Sequence, residues 1–243
     1  MIYLAKQFIV KDSDIEKIDE DSYKIFGSEV KHIQVLRYNI GDKIKINGVI
    51  YEIIKMTKKE VYIKFIEKHQ IVKRNLEVSL YVAVLKNEMM DLAIKKAVEL
   101  GVSRIIPFYS KNVVVKLDDK EMKKKEKYNK IAIEAVKQCN RNDIPIIDDF
   151  KKLEEIDFSN EEIVFLAYEK EKNSIKSVIQ NLKKLDYSKI GIIVGPEGGF
   201  DENEIQKLTK FSNIQTVGLG TRILRAETAV ISMISIINYE FEK

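Results

Sequence analysis

The chain has 243 residues, a mass of 28.2 kDa and a net charge of +4. Its composition, with 45% hydrophobic and 33% charged residues, is typical of soluble globular proteins and excludes a disordered or fibrous chain. A single cysteine, Cys139, excludes an intrachain disulfide and a cysteine-cluster metal site, and two histidines, His32 and His69, argue against a histidine zinc centre. The longest apolar run near the C-terminal end, 229–237, is too short to cross a bilayer, and the first residues lack the order of a signal peptide, in which basic residues precede an apolar segment. We therefore expect a cytoplasmic protein that binds neither a metal nor a membrane.

The first 70 residues have the pattern of several short strands with little helix. Residues 43–48 alternate polar and apolar side chains, and Asn47 and Gly48 then form a hairpin signal before a second apolar run at 49–54. Further predicted elements are a third strand over 61–66 and short helices over 12–18 and 28–35, each after a polar cap residue. Short strands at this spacing favour a small β-barrel.

After a polar, basic linker over 67–75, strands alternate with helices. Strands are predicted at 78–85, from 105, and at 163–167, 190–194 and 214–217. Helices are predicted at 90–98 with a stop at Gly101, and at 128–139, 175–185, 202–211 and 227–241. This alternation implies an α/β fold with a parallel sheet flanked by helices. We therefore divide the chain into a β-rich domain, 1–74, and an α/β domain, 75–243.

The net positive charge follows this division. Residues 1–74 hold 15 basic and 11 acidic residues, whereas residues 75–243 hold 27 of each. Only six of the 42 basic residues are arginines. Because arginine offers a planar donor fork that lysine cannot replace, the positions of the arginines are more informative than the number of lysines. A basic first domain is suggestive of an acidic partner such as nucleic acid.

The first of two glycine-rich loops, residues 195–200, directly follows the apolar strand that ends at Val194. Three glycines in six residues let the backbone turn tightly and approach a ligand. The loop has neither the Walker A pattern nor the dinucleotide-binding pattern. Its acid, Glu197, would repel a phosphate and suits ribose hydroxyls, a cationic ligand or proton abstraction. We predict that the loop contacts a ligand and that Asp201 caps the next helix.

The second loop, residues 217–229, follows another predicted strand and leads into the last helix. It contains two glycines, two of the six arginines, Arg222 and Arg225, and an acid, Glu227. Arginines beside a helix N-terminus fit anionic ligands such as a phosphate or an ionised base. A structural pair of arginine and glutamate that caps the helix is the alternative, and the spacing alone favours neither.

Together, residues 195–200 and 219–229 resemble the signature of the 16S rRNA uridine-N3 methyltransferases, the RsmE family of the trefoil-knotted SPOUT superfamily. The resemblance extends upstream and covers nearly the whole chain. The further similar segments are 32–37 with Gly41 and Asp42, 83–86, 95–101, and 138–141 before Pro145. The chain is thus identified from its motifs as a member of this family.

The resemblance implies a knotted SPOUT methyltransferase domain over 75–243 that binds S-adenosylmethionine (SAM), and a PUA-like β-barrel over 1–74 that helps to bind RNA. It also implies a homodimer built through helices near the knot. Three loops would surround the cofactor, with adenine against apolar side chains and backbone groups. The implied cofactor-binding residues are Leu166, Ala167, Gly195, Glu197, Gly198, Val217, Leu219, Gly220, Ile223 and Leu224.

The reaction that the resemblance implies is methylation of N3 of a specific uridine in small-subunit rRNA, for which the N3 proton must leave. Glu197 and Glu227 are the acids of the two loops, and the base stays open between them. Arg222 and Arg225 are expected to stabilise negative charge on the uracil or to hold a phosphate, which makes these four the predicted catalytic residues. The implied RNA-binding residues are Lys6, which stands where the family usually has arginine, and Arg37, Arg141 and Arg222.

Three other functions are compatible with parts of the pattern. The same chemistry on another rRNA or tRNA nucleotide is the nearest, because fold and cofactor motifs do not name the nucleotide. A non-catalytic RNA-binding assembly factor is disfavoured by the intact loop motifs. A nucleotide-binding oxidoreductase is disfavoured because no G-x-G-x-x-G sequence follows the strand at 78–85.

Overall fold

The computed structural model describes residues 6–68, 75–114, 121–182 and 186–242, without the side chain of Asn87. The chain forms two units. The first unit holds the residues up to Val72 together with Ile133–Ile144, and the second holds Lys73–Ala132 and Pro145–Lys243. The predicted linker over 67–75 lies mostly outside the described residues.

The first unit is built on a six-stranded sheet. Its elements are β1 (Gln7–Phe8), β2 (Ile15–Lys17), β3 (Ser22–Ile25), α1 (Ser28–Val35), β4 (Lys43–Ile46), β5 (Val49–Met56) and β6 (Val61–Lys68). The strand order is β1-β4-β5-β6-β3-β2, antiparallel except for the β1–β4 pair. No pairing between the edge strands β1 and β2 is seen among the described residues. The β-rich character is therefore confirmed, whereas the closed barrel stays a prediction.

Local sequence explains most of this unit. The hairpin between β4 and β5 turns at Asn47 and Gly48, both with positive φ (47° and 82°), as the Asn-Gly signal predicts. The helix over Ser28–Val35 is confirmed. The helix predicted over 12–18 is wrong, because only a short 3₁₀ turn precedes β2, whose residues pair with β3. Asp19 favours this hairpin by accepting hydrogen bonds from the amides of Asp21 and Ser22.

The second unit has the predicted alternation of strands and helices. Its elements are β7 (Glu77–Ala83), α2 (Asn87–Glu99), β8 (Arg104–Tyr109), α3 (Glu121–Cys139, whose last turns belong to the first unit), β9 (Ile146–Ile147), β10 (Lys151–Lys152), β11 (Ile163–Ala167), α4 (Ile175–Leu182), β12 (Lys189–Val194), α5 (Glu202–Leu208), β13 (Ile214–Val217) and α6 (Ala226–Phe241). The strand order is β10-β8-β7-β12-β11-β13, with β9 also paired to β8, and every pair is parallel. The predicted α/β fold with a parallel sheet is confirmed.

Strand register brings three loops to one edge of this sheet. Ala167, which ends β11, lies opposite Val194 of β12 on one side and Val217 of β13 on the other. Because the strands are parallel, their carboxyl ends lie at the same edge, where α/β proteins bind ligands. The two glycine-rich loops and the loop after β11 therefore begin side by side.

The last helix, α6, is a core element of the second unit. It packs against α2 and β12 and buries an apolar face that includes Val230, Ile234 and Ile237. Its Asn238 side chain donates a hydrogen bond of 2.6 Å to the carbonyl of Leu100. Among the described residues, no helix combines the length and apolar character that a bilayer crossing requires.

Candidate active site

A cavity of about 630 Å³ lies where the loops after β11, β12 and β13 meet the start of α6. Its wall is mainly backbone and apolar side chains, with a few charged groups. The lining residues are Lys86, Met89, Ala167, Tyr168, Glu169, residues 194–200, residues 218–227 and Ala229. All of them belong to the second unit.

Packing within the protein holds the first loop, residues 195–200. A Cβ atom on Gly195 would lie 2.7 Å from the ring of Phe200, so only glycine fits beside this ring. The ring of Phe200 in turn stacks on that of Phe108. The side-chain amide of Asn112 donates a hydrogen bond of 3.1 Å to the carbonyl of Gly199. The loop is thus preorganised from both sides.

The predicted cap at Asp201 is present. Its side chain accepts a hydrogen bond of 3.0 Å from the amide of Asn203, while the Asp201 amide donates one of 2.9 Å to Glu204. The ammonium of Lys111 lies 2.6 Å from the Asp201 carboxylate. This ammonium and the Asn203 amide hold the pKa of Asp201 below its usual value. The cap fixes the end of the loop to α5.

Glu197 is bound to the start of α2. Its Oε1 accepts a hydrogen bond of 3.0 Å from the backbone amide of Lys86, the residue that precedes the first turn of α2. A carboxylate at a helix N-terminus satisfies an amide that has no partner within the helix and interacts favourably with the helix dipole. The sequence suggests ligand contact or proton abstraction for Glu197, and the structure adds this positioning contact between residues 111 positions apart.

The second loop begins as a continuation of β13. The amide of Gly218 donates a hydrogen bond of 2.8 Å to the carbonyl of Asn173, and the amide of Ile175 donates one of 3.0 Å to the carbonyl of Gly218. A Cβ on Gly218 would lie 2.6 Å from the carbonyl oxygen of Glu171. Two residues on, Gly220 has a φ of +116°, and a Cβ added to it would meet no described atom within 4 Å, so its surface faces open space at the cavity.

Arg222 and Arg225 are exposed at the cavity rim. Neither guanidinium forms an ion pair or hydrogen bond with any residue that the structure describes. Ile223 between them is 86% exposed, an unusual state for so large an apolar side chain. The segment therefore offers two free planar cations and an uncovered apolar surface.

Glu227, in the first turn of α6, is only 7% exposed. Its Oε2 is buried and has no hydrogen-bond partner within the described part of the chain. No ion pair joins it to Arg225, although both residues are described, so the structural pair considered from the sequence is not formed. Glu227 thus brings to the cavity lining a largely buried carboxylate, one oxygen of which is bound by no described group.

Comparison with known proteins agrees with this geometry. A family model described as an RNA methyltransferase domain matches residues 72–238. The protein named ribosomal RNA small subunit methyltransferase E in Bacillus subtilis (strain 168) is 36% identical over 247 residues, which cover 93% of this chain and 94% of that protein. The chain belongs to the ribosomal RNA small subunit methyltransferase E family. The protein of the same name in Mesomycoplasma hyopneumoniae (strain 232) is 34% identical, with 91% and 96% of the two chains covered.

Solved structures share the fold over the full length. A crystal structure described only as a hypothetical protein is 32% identical, with a TM-score of 0.82 and coverage of 97% of this chain and 98% of that chain. The SAM-bound ribosomal RNA small subunit methyltransferase E from Neisseria gonorrhoeae has a TM-score of 0.83, with 98% of both chains covered and 22% identity. The membership in the family that the two loop motifs predict is therefore confirmed.

Most of the residues that the family motifs select line the cavity. They are Ala167, Gly195, Glu197, Gly198, Leu219, Gly220, Arg222, Ile223, Leu224, Arg225 and Glu227. Leu166 and Val217 do not line it, since both side chains are fully buried. A parallel sheet covered on both faces buries its side chains along the strands, so the cavity is lined by the last residues of strands, such as Ala167 and Val194, and by the loops that follow them.

The remaining predicted RNA-binding residues belong to the first unit. Lys6 and Arg37 are exposed, and Arg37 has a φ of 59°. Arg141 is half-buried, and its guanidinium pairs with the carboxylate of Asp143. Lys6 and Arg37 are therefore accessible to a polyanion, whereas Arg141 already has an acidic neighbour.

Sequence reasoning missed several cavity residues. Lys86 and Met89 reach the cavity from the start of α2, and Tyr168 and Glu169 reach it from the loop after β11. The amide of Tyr168 donates a hydrogen bond of 3.0 Å to the carbonyl of Val217 and so joins two of the three loops. A signal for these residues exists, because each follows a predicted parallel strand at its carboxyl end.

Proposed function

We propose that this protein is a SAM-dependent methyltransferase that methylates N3 of a specific uridine in small-subunit rRNA. The single observation that carries the proposal is the buried carboxylate of Glu227, one oxygen of which has no partner among the described residues, in a cavity whose rim presents Arg222 and Arg225. A proton acceptor beside two free cations suits a substrate that loses a proton and develops negative charge. Membership in a family of rRNA methyltransferases supports the substrate class.

The residues of the cavity fit SAM. A volume of about 630 Å³ is within the usual range for small-molecule sites. The open backbone at Gly220 allows a ligand to approach closely, and Leu219, Leu224 and Met89 offer apolar surface for an adenine ring. When bound, SAM supplies the methyl group from a sulfonium that needs no further activation. The protein's part is to align the acceptor nitrogen with that methyl group and to exclude water.

We assign the finer features of the family to this chain on the same basis. The first unit acts as a PUA-like RNA-binding barrel, supported by the excess of basic over acidic residues in 1–74 and by exposed Lys6 and Arg37. The second acts as a SPOUT domain with a C-terminal trefoil knot, supported by the close packing of Gly218 against the segment after β11. The enzyme works as a homodimer in the cytoplasm, where its ribosomal substrate is made.

The test of the substrate is mass-spectrometric mapping of modified nucleotides in 16S rRNA from cells with and without the gene. We expect one 3-methyluridine to disappear in the deletion strain and to return with the wild-type gene. Persistence of every 3-methyluridine in the deletion strain, with another methylated rRNA or tRNA nucleotide lost instead, would assign the same chemistry to that nucleotide. Loss of no methylated nucleotide would favour a non-catalytic assembly factor.

The test of the cofactor site is calorimetric titration of SAM into the wild type and Gly220→Trp. A tryptophan at residue 220 projects into the cavity, so we expect binding to be lost. Gly41→Trp is the matched control, because Gly41 also has a positive φ (93°), has no described atom within 4 Å of its Cβ position and lies in the first unit. Equal SAM binding by Gly220→Trp and Gly41→Trp would refute the proposed site.

A further inference from the structure

The two candidate bases in the cavity differ in what their carboxylates already bind. Glu197 is exposed, and its Oε1 accepts the Lys86 amide at 3.0 Å. Glu227 is only 7% exposed, and its Oε2 has no partner among the described residues. A buried acceptor without a donor is costly, more so when charged, and the recognised reasons for one are strain, a catalytic role, or a water or ion that supplies the missing partner. Because Glu227 also lines the cavity, a substrate bound there is the candidate donor.

We infer that Glu227 is the catalytic residue that accepts the N3 proton of the target uracil, and that Glu197 is a positioning residue that ties the glycine loop to α2. The inference rests on the proposed function and assigns a proton path within it. N3–H of uracil is a donor that suits this carboxylate. Arg222 and Arg225 then face the negative charge that spreads onto the carbonyl oxygens of the uracil ring.

The proposed step balances in atoms and charge. The N3–H bond breaks and its proton moves to the carboxylate of Glu227. The electron pair on N3 forms the new bond to the methyl carbon, while the bond between that carbon and sulfur breaks and its electrons stay on sulfur as a neutral thioether. The protonated Glu227 returns its proton to water after the product leaves, so no oxidant, reductant or metal ion is required.

The placement of Glu227 supports this role. It lies in the first turn of α6, at the edge of the cavity where the last glycine-rich loop ends. The apolar residues Ala226, Ala229 and Met89 also line the cavity. The other charged or titratable residues that line the cavity are Lys86, Tyr168, Glu169, Glu197, Arg222 and Arg225. Tyr168, Glu169 and Glu197 belong to the opposite loops.

The decisive variant is Glu227→Gln in the full-length protein, which keeps the volume of the side chain and removes the proton acceptor. SAM affinity is measured by calorimetry, and single-turnover methylation is measured on small subunits from the deletion strain over a series of pH values. We expect SAM affinity within about threefold of wild type and a methylation rate lower by about a hundredfold or more, because a positioned base contributes about 10² to 10⁴. The residual rate of the variant should rise with pH as the uracil ionises in solution.

Two further variants separate catalysis from structure. Glu161→Gln is the matched control, because Glu161 is also only 7% exposed, has a buried Oε2 without a described partner, and does not line the cavity. We expect it to keep the wild-type methylation rate. Glu227→Ala leaves space for a small carboxylate, so formate at tens of millimolar should restore part of its rate and should not stimulate the wild type.

Each contrary result has its own meaning. A Glu227→Gln rate within tenfold of wild type, with an unchanged pH profile, overturns the assignment of the base. A loss of SAM affinity of more than tenfold in Glu227→Gln overturns it as well, because the carboxylate then holds the cofactor. Absence of 3-methyluridine formation by the wild type refutes the proposed function itself. Glu161→Gln with the same loss as Glu227→Gln shows that any buried carboxylate has this effect and removes the inference.

Discussion

Replacement of Gly218 by alanine tests how tightly the loops around the cavity pack. The new Cβ would lie 2.6 Å from the carbonyl oxygen of Glu171, a backbone atom that no side-chain rotation can move. Gly218 does not have a positive φ, so alanine is acceptable to its own backbone and the whole effect is steric. The loop that must yield is held by hydrogen bonds from Gly218 to Asn173 and from Ile175 to Gly218.

The expected cost follows from these contacts. Overpacking of this kind costs about 1–3 kcal/mol, and weakening one backbone hydrogen bond adds about 1 kcal/mol. The free energy of unfolding should therefore fall by about 2–4 kcal/mol, which corresponds to roughly 5–15 °C in melting temperature for a domain of this size. Differential scanning calorimetry measures the shift, and hydrogen exchange should be faster at the amides of Tyr168 and Ile175.

The matched control for this prediction is Gly198→Ala. Gly198 lies in the other glycine-rich loop and also lacks a positive φ, but its Cβ would lie 3.1 Å from the Cβ and from the carbonyl oxygen of Asn112, so these contacts need to open only by tenths of an ångström. Alanine also lowers the entropy of the unfolded chain, which offsets about 0.4–1 kcal/mol, so we expect a small shift. A Gly218→Ala protein that melts within about 2 °C of wild type, with unchanged exchange at both amides, would refute the account of close packing.

Three further predictions concern charge. Lys45 is 3% exposed with no carboxylate partner in the described structure, and burial lowers its pKa, so Lys45→Met should raise the melting temperature at neutral pH, whereas the exposed control Lys43→Met should not. Between the lowered pKa of the folded state and pH 10.5, the unfolded wild type binds more protons than the folded wild type. The stability of the wild type relative to Lys45→Met should therefore increase as the pH rises towards 10.5. Asp201→Ala should lower the melting temperature, whereas Asp201→Asn keeps the cap, and equal melting temperatures of the two variants would contradict the cap. Because the pKa of Asp201 is lowered in the folded state, the carboxylate stabilises the fold above pH 3.8, and this stabilisation should disappear as the pH falls below that value. Arg222→Lys and Arg225→Lys keep the charge and lose the donor fork, so the rate of rRNA methylation should fall by about tenfold to a hundredfold. SAM affinity, measured by calorimetry, should stay unchanged. A fall in both quantities would indicate that the arginines bind the cofactor.

The parts of the fold that the sequence predicts well are those with an internal pattern. The strands at 163–167 and 214–217 are observed with the predicted limits, because each is a short run of suitable residues bounded by polar or turn residues. β10, at Lys151–Lys152, has no pattern of its own and exists because it pairs with Phe108 and Tyr109 of β8. Two-residue edge strands are determined by their partners, so local patterns do not reveal them. The same holds for β2, where the local pattern predicts a helix.

The glycines of the candidate site show a similar limit. The sequence presents those at 195, 218 and 220 as equivalent signs of close approach to a ligand. In the structure, the first accommodates the ring of Phe200 and the second accommodates the carbonyl of Glu171, and only Gly220 faces open space. What a glycine accommodates depends on which side chain or loop packs against it in the folded protein. The spacing of the glycines in the sequence does not reveal this contact.

The choice between a structural and a chemical role for Glu227 depends on where α6 begins. The helix starts at Ala226, one residue before the predicted start, with Arg225 in the capping position. Residues two positions apart at a helix start do not face each other, so Arg225 points to the rim while Glu227 turns into the cavity wall. A pair of opposite charges that looks neutralised in the sequence is thereby separated into a free cation and a buried acceptor. This separation is what a site needs if it is to remove a proton from a ring and then stabilise the charge left behind.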